Sequence, residues 1–448
     1  MEQKTQVEKL LQALVKHDTR EIDDVYEHVH PIDLAEEIEE LEDNQLDYLC
    51  SHIDNEKLAE ILEESDDDLQ IDIVNCLDNY RILSLFSFMP KDTIVDILDE
   101  LPIGKRKQLI TLMKADDQKI IEQLLGYEED SAGGLMTTEY IALNENLSML
   151  DTLMKIKEIA PKTEVIDTIF VLNQRKQLVG TADLRDILTS HEDETLHSIM
   201  NDQVIFVYPE TDQEEVSLLV SKYDLTTIPV VNKNKTLLGI ITVDDIIDVI
   251  QEEHTEDMLQ MHGVNKEESL ESTLLESIQM RLPWLIVNLA TAFFASFVIK
   301  MFESTIEQIV ALSATMTIVT GMGGNAGSQT LSIMIRNIAL GEIHFQDCWP
   351  ALKKEICVGL INGLVTGIIT GFIVYVLYEN FYLGIIICLA MIGNLIISGL
   401  FGFIIPVCLK AVHLDPALAS SIFLTTATDI LGFFIFLELA NLFLPYLL

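Results

Sequence analysis

The sequence predicts a multidomain protein with an all-α superhelical N-terminal domain, an α/β pair of repeats, a long connecting helix and an α-helical membrane domain with five transmembrane helices. Three observations predict this order. Acidic residues are concentrated in the first 280 residues, a sequence unit recurs in the middle of the chain, and five long apolar stretches follow Arg281. The predicted domains cover residues 1–130, 131–254 (repeats at about 135–195 and 196–254), 255–280 and 281–448.

Residues 1–130 show the apolar spacing of amphipathic helices without the alternation typical of strands. Similar helices recur roughly every 24 residues, as in Asp33–Leu41 and Lys57–Leu62. This spacing predicts a solenoid-like stack whose acidic outer face is solvated. Met1–Leu14 lack the basic and apolar regions of a secretory leader, so we expect this part of the chain in the cytosol.

The formal net charge of −44 is unevenly distributed. From Arg281 onward there are six basic and nine acidic residues, a net of −3, so residues 1–280 carry −41. Such a charge repels nucleic acid and attracts multivalent cations, and nucleic-acid binding is therefore excluded. The six cysteines show no paired metal-ligand spacing, and we expect them to be reduced and structural.

Residues 169–180 and 228–239 share a pattern of a strand, an Asn-centred turn and a second strand ending in glycine. The two copies lie 59 residues apart, and a helix is predicted after each, so together they predict one α/β pair. The repeat resembles a tandem CBS pair, a module that binds adenosine ligands or serves as a regulatory dimer. By that resemblance Arg185 and Asp186 are candidate contacts for ATP as a modulator.

The five apolar stretches are long enough to cross a bilayer. They run over approximately 282–302, 306–335, 354–378, 381–409 and 417–446. With a cytosolic N-terminus, the outer flanks hold one basic residue, Lys300, and the inner flanks hold Arg281, Arg336, Lys353, Lys354 and Lys410. This predicts a multi-pass protein of the plasma membrane with cytoplasmic N-terminal and repeat domains and the C-terminus outside. An odd number of spans excludes two equal halves in one chain, so a pore is expected to need a second subunit.

Asp429 is a carboxylate within the last apolar stretch, and no lysine or arginine follows Lys410. A charge near the bilayer centre costs about 2.5 to 3.5 kcal/mol on insertion scales, so an unpaired one usually marks an ion or proton pathway. A second interpretation stays open, in which Asp429 is protonated or bonds the backbone of a neighbouring helix.

Polar segments in two of the stretches accompany Asp429. The segment Gly321–Gln329 offers side-chain carbonyls, although its glycines also suit close helix packing. Oxygen ligands without a His or Cys cluster favour a hard cation over zinc or copper. Mg²⁺ is the leading candidate, because it is commonly held by one or two carboxylates while it retains several waters. The candidate pore-lining residues are Asn325, Gln329, Thr425 and Thr426.

Five motifs in order resemble the MgtE family of magnesium channels and transporters over essentially the whole chain. They are His30-Pro31 with Asp33–Ala35, Tyr127–Thr137, Val243–Val249, Gly323–Gln329, and Asp415–Leu418 ahead of Asp429. The resemblance implies a non-enzymatic, Mg²⁺-selective channel that admits the ion to the cytosol down its electrochemical gradient. It also implies a homodimer in the lipid bilayer whose Asp429 holds a hydrated Mg²⁺ in the pore, and a connecting plug helix that closes the pore.

By the same resemblance, acids of the helical domain, the second repeat and the start of the plug bind regulatory Mg²⁺. They are Glu60, Asp92, Asp96, Glu214, Asp224, Asp245, Asp248, Glu253, Glu256 and Asp257. Clustered carboxylates repel one another when empty, whereas bridging divalent ions favour a compact arrangement. For any one of these acids, a solvated surface charge is the alternative.

Thr317 and Ile422 stand where members of this family commonly carry proline. Proline frees a backbone carbonyl and kinks a span, so its absence is expected to alter pore geometry or selectivity. Two other functions stay open. One is transport of Co²⁺, Ni²⁺ or another divalent cation, and the other is a membrane sensor with CBS domains that does not conduct.

Overall fold

The computed structural model describes residues 29–39, 41–163, 165–266, 268, 272–343, 348–418 and 420–447. The prediction made for Met1–Leu14 lies outside these residues. The chain divides into two compact units, Met1–Val249 and Ile250–Leu448.

The first unit contains a stack of short helices in its described N-terminal part. Alternate helices pack against one another, so that α1 contacts α3, α2 contacts α4, and so on to α6 with α8. Asp66 and Asp78 accept hydrogen bonds from backbone N–H groups of the helices that follow them, which favours a helix start at each position. The helices start every 12 residues, so alternate ones follow the predicted 24-residue period: α1 Pro31–Ile38, α2 Asp43–His52, α3 Asn55–Glu63, α4 Asp67–Cys76, α5 Asn79–Leu85, α6 Lys91–Glu100, α7 Ile103–Leu112 and α8 Ala115–Leu124.

The remainder of the first unit is the predicted α/β repeat. β1 pairs in parallel with β2, β2 is antiparallel to β3, and β4 is antiparallel to β5. The predicted Asn-centred turns are confirmed, because Asn173 Oδ1 accepts from the backbone N–H groups of residues 175 and 177 and Asn232 Oδ1 from those of 234 and 236. The elements are β1 Ala142–Asn144, α9 Met149–Ile159, β2 Thr168–Leu172, β3 Leu178–Asp183, α10 Leu184–Thr189, α11 Leu196–Ile199, α12 Gln213–Tyr223, β4 Thr227–Val231 and β5 Leu237–Thr242, with a 3₁₀ turn at Ala160–Lys162.

The connecting segment differs from the expected single helix over residues 255–280. Helix α13, Val243–Gln260, ends before Gly263, whose φ of +72° is a backbone conformation that glycine adopts readily. The next helix, α14 (Leu274–Met301), begins after Thr273, whose hydroxyl accepts from the Glu276 N–H in a capping box. The expected helix is therefore divided between the end of α13 and the start of α14.

The second unit is helical throughout its regular elements. Four of its helices, α14, α17, α18 and α19, are long and apolar enough to cross a membrane. Helix α16 has 29 residues but is not among these four, because it contains the polar and glycine-rich segment Gly321–Gln329. Beyond α14 the helices are α15 Glu303–Gln308, α16 Ala311–Ala339, α17 Cys348–Tyr378, α18 Phe381–Ala411, α19 Ser420–Leu442 and α20 Leu444–Leu447.

Helix α18 is the central helix of this unit. In the most apolar 18-residue stretch of α18, 56% of the residues are buried, whereas the corresponding value for α14 is 6%. Helix α18 packs against α16, α17 and α19. It therefore fixes the relative positions of α16 and α19, the two helices that carry the predicted pore-lining residues.

Candidate cation sites

Asp429 lies near the middle of α19 and is partly buried. The hydroxyls of Thr425 and Thr426 donate to carbonyls of the preceding turn of their own helix, at 2.9 Å (Ser421) and 2.6 Å (Ile422). These bonds use the hydroxyl hydrogens and leave oxygen lone pairs available as acceptors. The carboxylate and the two hydroxyls thus form an oxygen-rich segment of α19.

Helix α16 packs against α19 through two glycines of its polar segment. A Cβ at Gly327 would lie 2.8 Å from Leu424, and one at Gly324 would lie 4.0 Å from Thr425. The predicted pore residues Asn325 and Gln329 lie one turn apart on the opposite, exposed face of α16. In a single chain, therefore, these two amides lie on a different face of α16 from the one that contacts α19.

Both helices continue unbroken through the positions where the resemblance leads one to expect proline. Thr317 lies inside α16, and its hydroxyl donates to the Ala314 carbonyl at 3.3 Å. Ile422 lies in the first turn of α19 and is buried. A Cβ at Gly263, after the end of α13, would lie 3.1 Å from Ile422 Cδ1. Ile422 thus packs against the connecting segment.

A second carboxylate in the helical unit had no predicted role. Glu355 on α17 is 9% exposed and accepts a hydrogen bond from Thr330 of α16 at 3.1 Å. Lys354 Nζ lies 3.9 Å from its other oxygen. In the sequence, Glu355 follows two lysines at the start of an apolar stretch, a pattern that indicates an interfacial charge, so its burial was not predictable.

In the first unit, the structure brings together three of the predicted sensor acids. Burial and the charge of Asp245 raise the pKa of Asp92 to about 7, and Asp92 Oδ1 is a buried atom with no hydrogen-bond partner among the described residues. The pKa of Asp96, one turn further on α6, is also raised, by desolvation and then by the charge of Asp92, although the residue is exposed. Burial raises the pKa of Asp245, although its hydrogen bond from Thr242 opposes the shift. The carboxylates therefore influence one another's ionisation, and Asp92 has a buried oxygen without a hydrogen-bond partner among the described residues.

A second pair of acids lies within the second unit. Burial raises the pKa of Asp257, in the last turns of α13, to about 7, and the charge of Asp415 is the next largest cause. Asp415 lies in the loop before α19 and accepts from the Ala417 N–H at 2.7 Å. Burial raises its pKa as well. In the sequence, Asp415 is recognisable only as part of the motif Asp415–Leu418, and its proximity to Asp257 is visible only in the folded chain.

The other predicted site residues are exposed or partly buried. Glu60, Asp224 and Asp248 are exposed, as are Arg185 and Asp186 at the start of α10. Glu214, Glu253 and Glu256 are partly buried. Within the described parts of the chain, no group of three or more His, Cys, Asp or Glu side chains has the geometry to hold a metal ion.

Three family models match the chain. Residues 316–439 match the model MgtE, described as a divalent cation transporter. Residues 29–130 match the MgtE intracellular N domain, and residues 196–252 match the CBS domain. The matches fall on the helical second unit, on the stack of short helices and on the second repeat.

Curated relatives and solved structures agree with these models. The magnesium transporter MgtE of Bacillus subtilis is 33% identical over 335 residues, which are 75% of this chain and 74% of that protein. The magnesium transporter MgtE of Enterococcus faecalis is 33% identical over 73% of this chain and 72% of its own length. The crystal structure of the cytosolic domain of the Mg²⁺ channel MgtE in complex with ATP is 33% identical, with a TM-score of 0.53, over 54% of this chain and 99% of its own.

Proposed function

Because this chain belongs to the MgtE family of divalent cation transporters, we propose that it is a Mg²⁺ channel that admits the ion to the cytosol and closes when Mg²⁺ binds its acidic domains. The observation that carries the proposal is Asp429. It lies within an apolar helix that packs on the glycine-rich segment of α16, and no lysine or arginine follows Lys410 in the sequence. Such an uncompensated carboxylate attracts a cation.

The ligand chemistry supports Mg²⁺ as the transported ion. Asp429 with the hydroxyls of Thr425 and Thr426 offers oxygen ligands only, and Mg²⁺ prefers oxygen and gives up its water reluctantly. Inward movement of two charges through an inside-negative potential gains about 4.6 kcal/mol per 100 mV. Entry therefore needs no coupled energy source.

A homodimeric pore is supported by the exposed face of α16. Asn325 and Gln329 are polar side chains on a helix of the membrane unit, and lipid does not satisfy their hydrogen bonds. A second copy of the chain packed on this face would cover them and place two α16 segments beside the ion path. In this proposal α16 also crosses the membrane and brings the number of spans from four to five. With an odd number of spans and with residues 1–249 in the cytoplasm, the C-terminus lies outside.

Regulation is assigned to the acids with raised pKa. Burial raises the pKa of Asp92, Asp96, Asp245, Asp257 and Asp415, and for the first four the charge of neighbouring acids raises the pKa further by repulsion. Mg²⁺ would relieve that repulsion and favour a compact, closed state. The remaining candidates are proposed to add ligands: Glu60, Glu214, Asp224, Asp248, Glu253 and Glu256. Residues 255–280 act as the plug, although they are not one helix.

ATP is proposed as a modulator of the CBS pair. The cytosolic domain of the related Mg²⁺ channel was crystallised with ATP. Arg185 and Asp186 are exposed at the start of α10, directly after β3, and are therefore accessible to a nucleotide.

The pore assignment is tested by ion uptake into liposomes. We expect the purified protein to admit Mg²⁺ and the substitution Asp429→Asn to remove most of the flux, because it deletes the charge while it keeps the shape of the side chain. Glu438→Gln, on the same helix, is the matched control. Uptake is compared among Mg²⁺, Ca²⁺, Mn²⁺, Co²⁺ and Ni²⁺. Preference for Co²⁺ or Ni²⁺ would support the alternative cation, and absence of any uptake by the wild type would support a sensor.

A further inference from the structure

Asn394 is a fully buried polar side chain near the middle of α18. Its Nδ2 donates to the Val319 carbonyl of α16 at 2.8 Å. Its Oδ1 is also buried and has no hydrogen-bond partner in the described part of the chain. A buried acceptor without a partner is costly, and an apolar side chain of similar volume would avoid that cost. Stability alone therefore does not explain an asparagine at this position.

The Asn394 amide lies between glycines of two neighbouring helices. A Cβ at Gly323 of α16 would overlap the amide nitrogen, and a Cβ at Gly432 of α19 would lie 2.9 Å from both amide heteroatoms. One turn further along α18, Ser398 Oγ lies 2.7 Å from the Gly323 carbonyl oxygen. The amide thus fills a narrow space between α16, α18 and α19, and it is hydrogen-bonded to α16.

The two glycines connect this contact to the proposed ion path. Gly323 lies within the polar segment Gly321–Gln329 of α16, and Gly432 lies three residues after Asp429, on a neighbouring part of the α19 surface. A displacement of the amide would therefore change the separation between the α16 segment and the helix turn that carries Asp429. The amide need not touch the ion to have this effect.

We propose that Asn394 is a positioning residue that sets the separation of α16 and α19 at Asp429 and thereby the cation size that the site accepts. The inference rests on the proposed channel function. Selection of Mg²⁺ over the larger Ca²⁺ depends on cavity size, ligand number and rigidity. A metal or binding site requires its groups to be held within about 0.5 Å of the working geometry, and residues behind the ligands supply that constraint.

The experiment compares Mg²⁺ and Ca²⁺ uptake into liposomes, normalised to folded protein, for the wild type and two variants. Asn394→Leu keeps the number and branching of the side-chain heavy atoms, although its methyl groups are larger than the amide groups, and it removes the hydrogen bond and the orphaned acceptor. Gly432→Ala keeps Asn394 but pushes the amide from the α19 side. We expect both variants to lower Mg²⁺ uptake about tenfold, as is typical for residues that orient metal ligands, and to lower the Mg²⁺:Ca²⁺ uptake ratio.

Asn362→Leu, at an exposed position of α17, is the control and should leave both quantities unchanged. Wild-type uptake ratios in either folded variant would overturn the inference, as would a flux that falls only in proportion to folded protein. If one of the two variants does not fold, the uptake ratio of the other variant tests the inference. Failure of the channel proposal is distinguishable, because the wild type would then take up no Mg²⁺ and Asp429→Asn would change nothing.

Discussion

At the scale of single residues, the acids with raised pKa are where structure adds most to the sequence. The family resemblance placed Asp92 and Asp257 among ten candidate sensor acids, and only packing gives each a pKa of about 7. Burial depends on which helices cover α6 and on the loop that brings Asp415 to α13, and neither follows from local sequence patterns. Groups with such pKa values are half protonated near neutral pH, so Mg²⁺ competes with protons for them.

The first prediction at this scale concerns pH. Since the pKa of Asp92 is raised above its unfolded value of 3.8, this group stabilises the metal-free fold below pH 4 and the contribution is lost as pH rises through 7. We expect the melting temperature of the metal-free protein to fall between pH 6 and pH 8. As pH rises, the Mg²⁺ concentration that restores stability should decrease, by up to about tenfold per pH unit for each proton that Mg²⁺ displaces.

Thermal melts of the full chain in detergent, with Mg²⁺ titrated at pH 6, 7 and 8, measure both effects. Asp92→Asn should flatten the pH dependence, whereas Asp116→Asn, at an exposed position of α8, should leave it intact. A midpoint for Mg²⁺ that does not move with pH would contradict the assignment of Asp92 as a ligand.

At the scale of elements, close contact between α17 and α18 depends on a row of glycines. Gly359, Gly363, Gly367 and Gly371 recur every four residues along α17 and are all buried. A Cβ at Gly371 would lie 2.5 Å from the Gly384 carbonyl oxygen of α18, and one at Gly367 would lie 2.8 Å from the Cys388 carbonyl oxygen. Without a hydrophobic driving force between helices in lipid, such backbone contact is a main source of helix association.

The prediction for this element contrasts two glycine-to-alanine substitutions. Gly371→Ala should destabilise the membrane unit by about 1 to 3 kcal/mol, because the added methyl group overlaps backbone that has no room to move. Gly104→Ala, in α7 where nothing lies within 4 Å of the new methyl group, should stabilise its helix by about 0.4 to 1 kcal/mol. The stability changes of both variants are measured by the loss of monodisperse protein on heating and by circular dichroism. Equal effects of the two substitutions would refute the packing argument.

At the scale of the whole molecule, periodic features were predictable from sequence and contacts between distant segments were not. The 24-residue helix period, the Asn-centred turns and the apolar stretches each follow from local patterns, and the helices and hairpins occur where these patterns predict them. The amphipathic run toward Arg281 favours one continuous helix, and the end of α13 before Gly263 was therefore missed. The Asn394 contact with Val319 joins residues 75 apart, and sequence gives no local signal for such a pair.

The last prediction uses the charge of the whole chain. Residues 1–280 carry a net charge of −41, and their acids repel one another at cytosolic pH. The first unit of the metal-free protein should therefore unfold locally more often than that of the Mg²⁺-bound protein. We expect millimolar Mg²⁺ to slow cleavage of the first unit by protease several-fold. Monovalent salt also screens charge, with a Debye length of about 8 Å at 0.15 M, so the comparison is made at matched ionic strength with KCl. The combined variant Asp92→Asn and Asp245→Asn should lose the specific protection while it keeps the salt effect. Equal cleavage with Mg²⁺ and with KCl would show that the acids are only a solvated surface, and sensing by the first unit would then have to be abandoned.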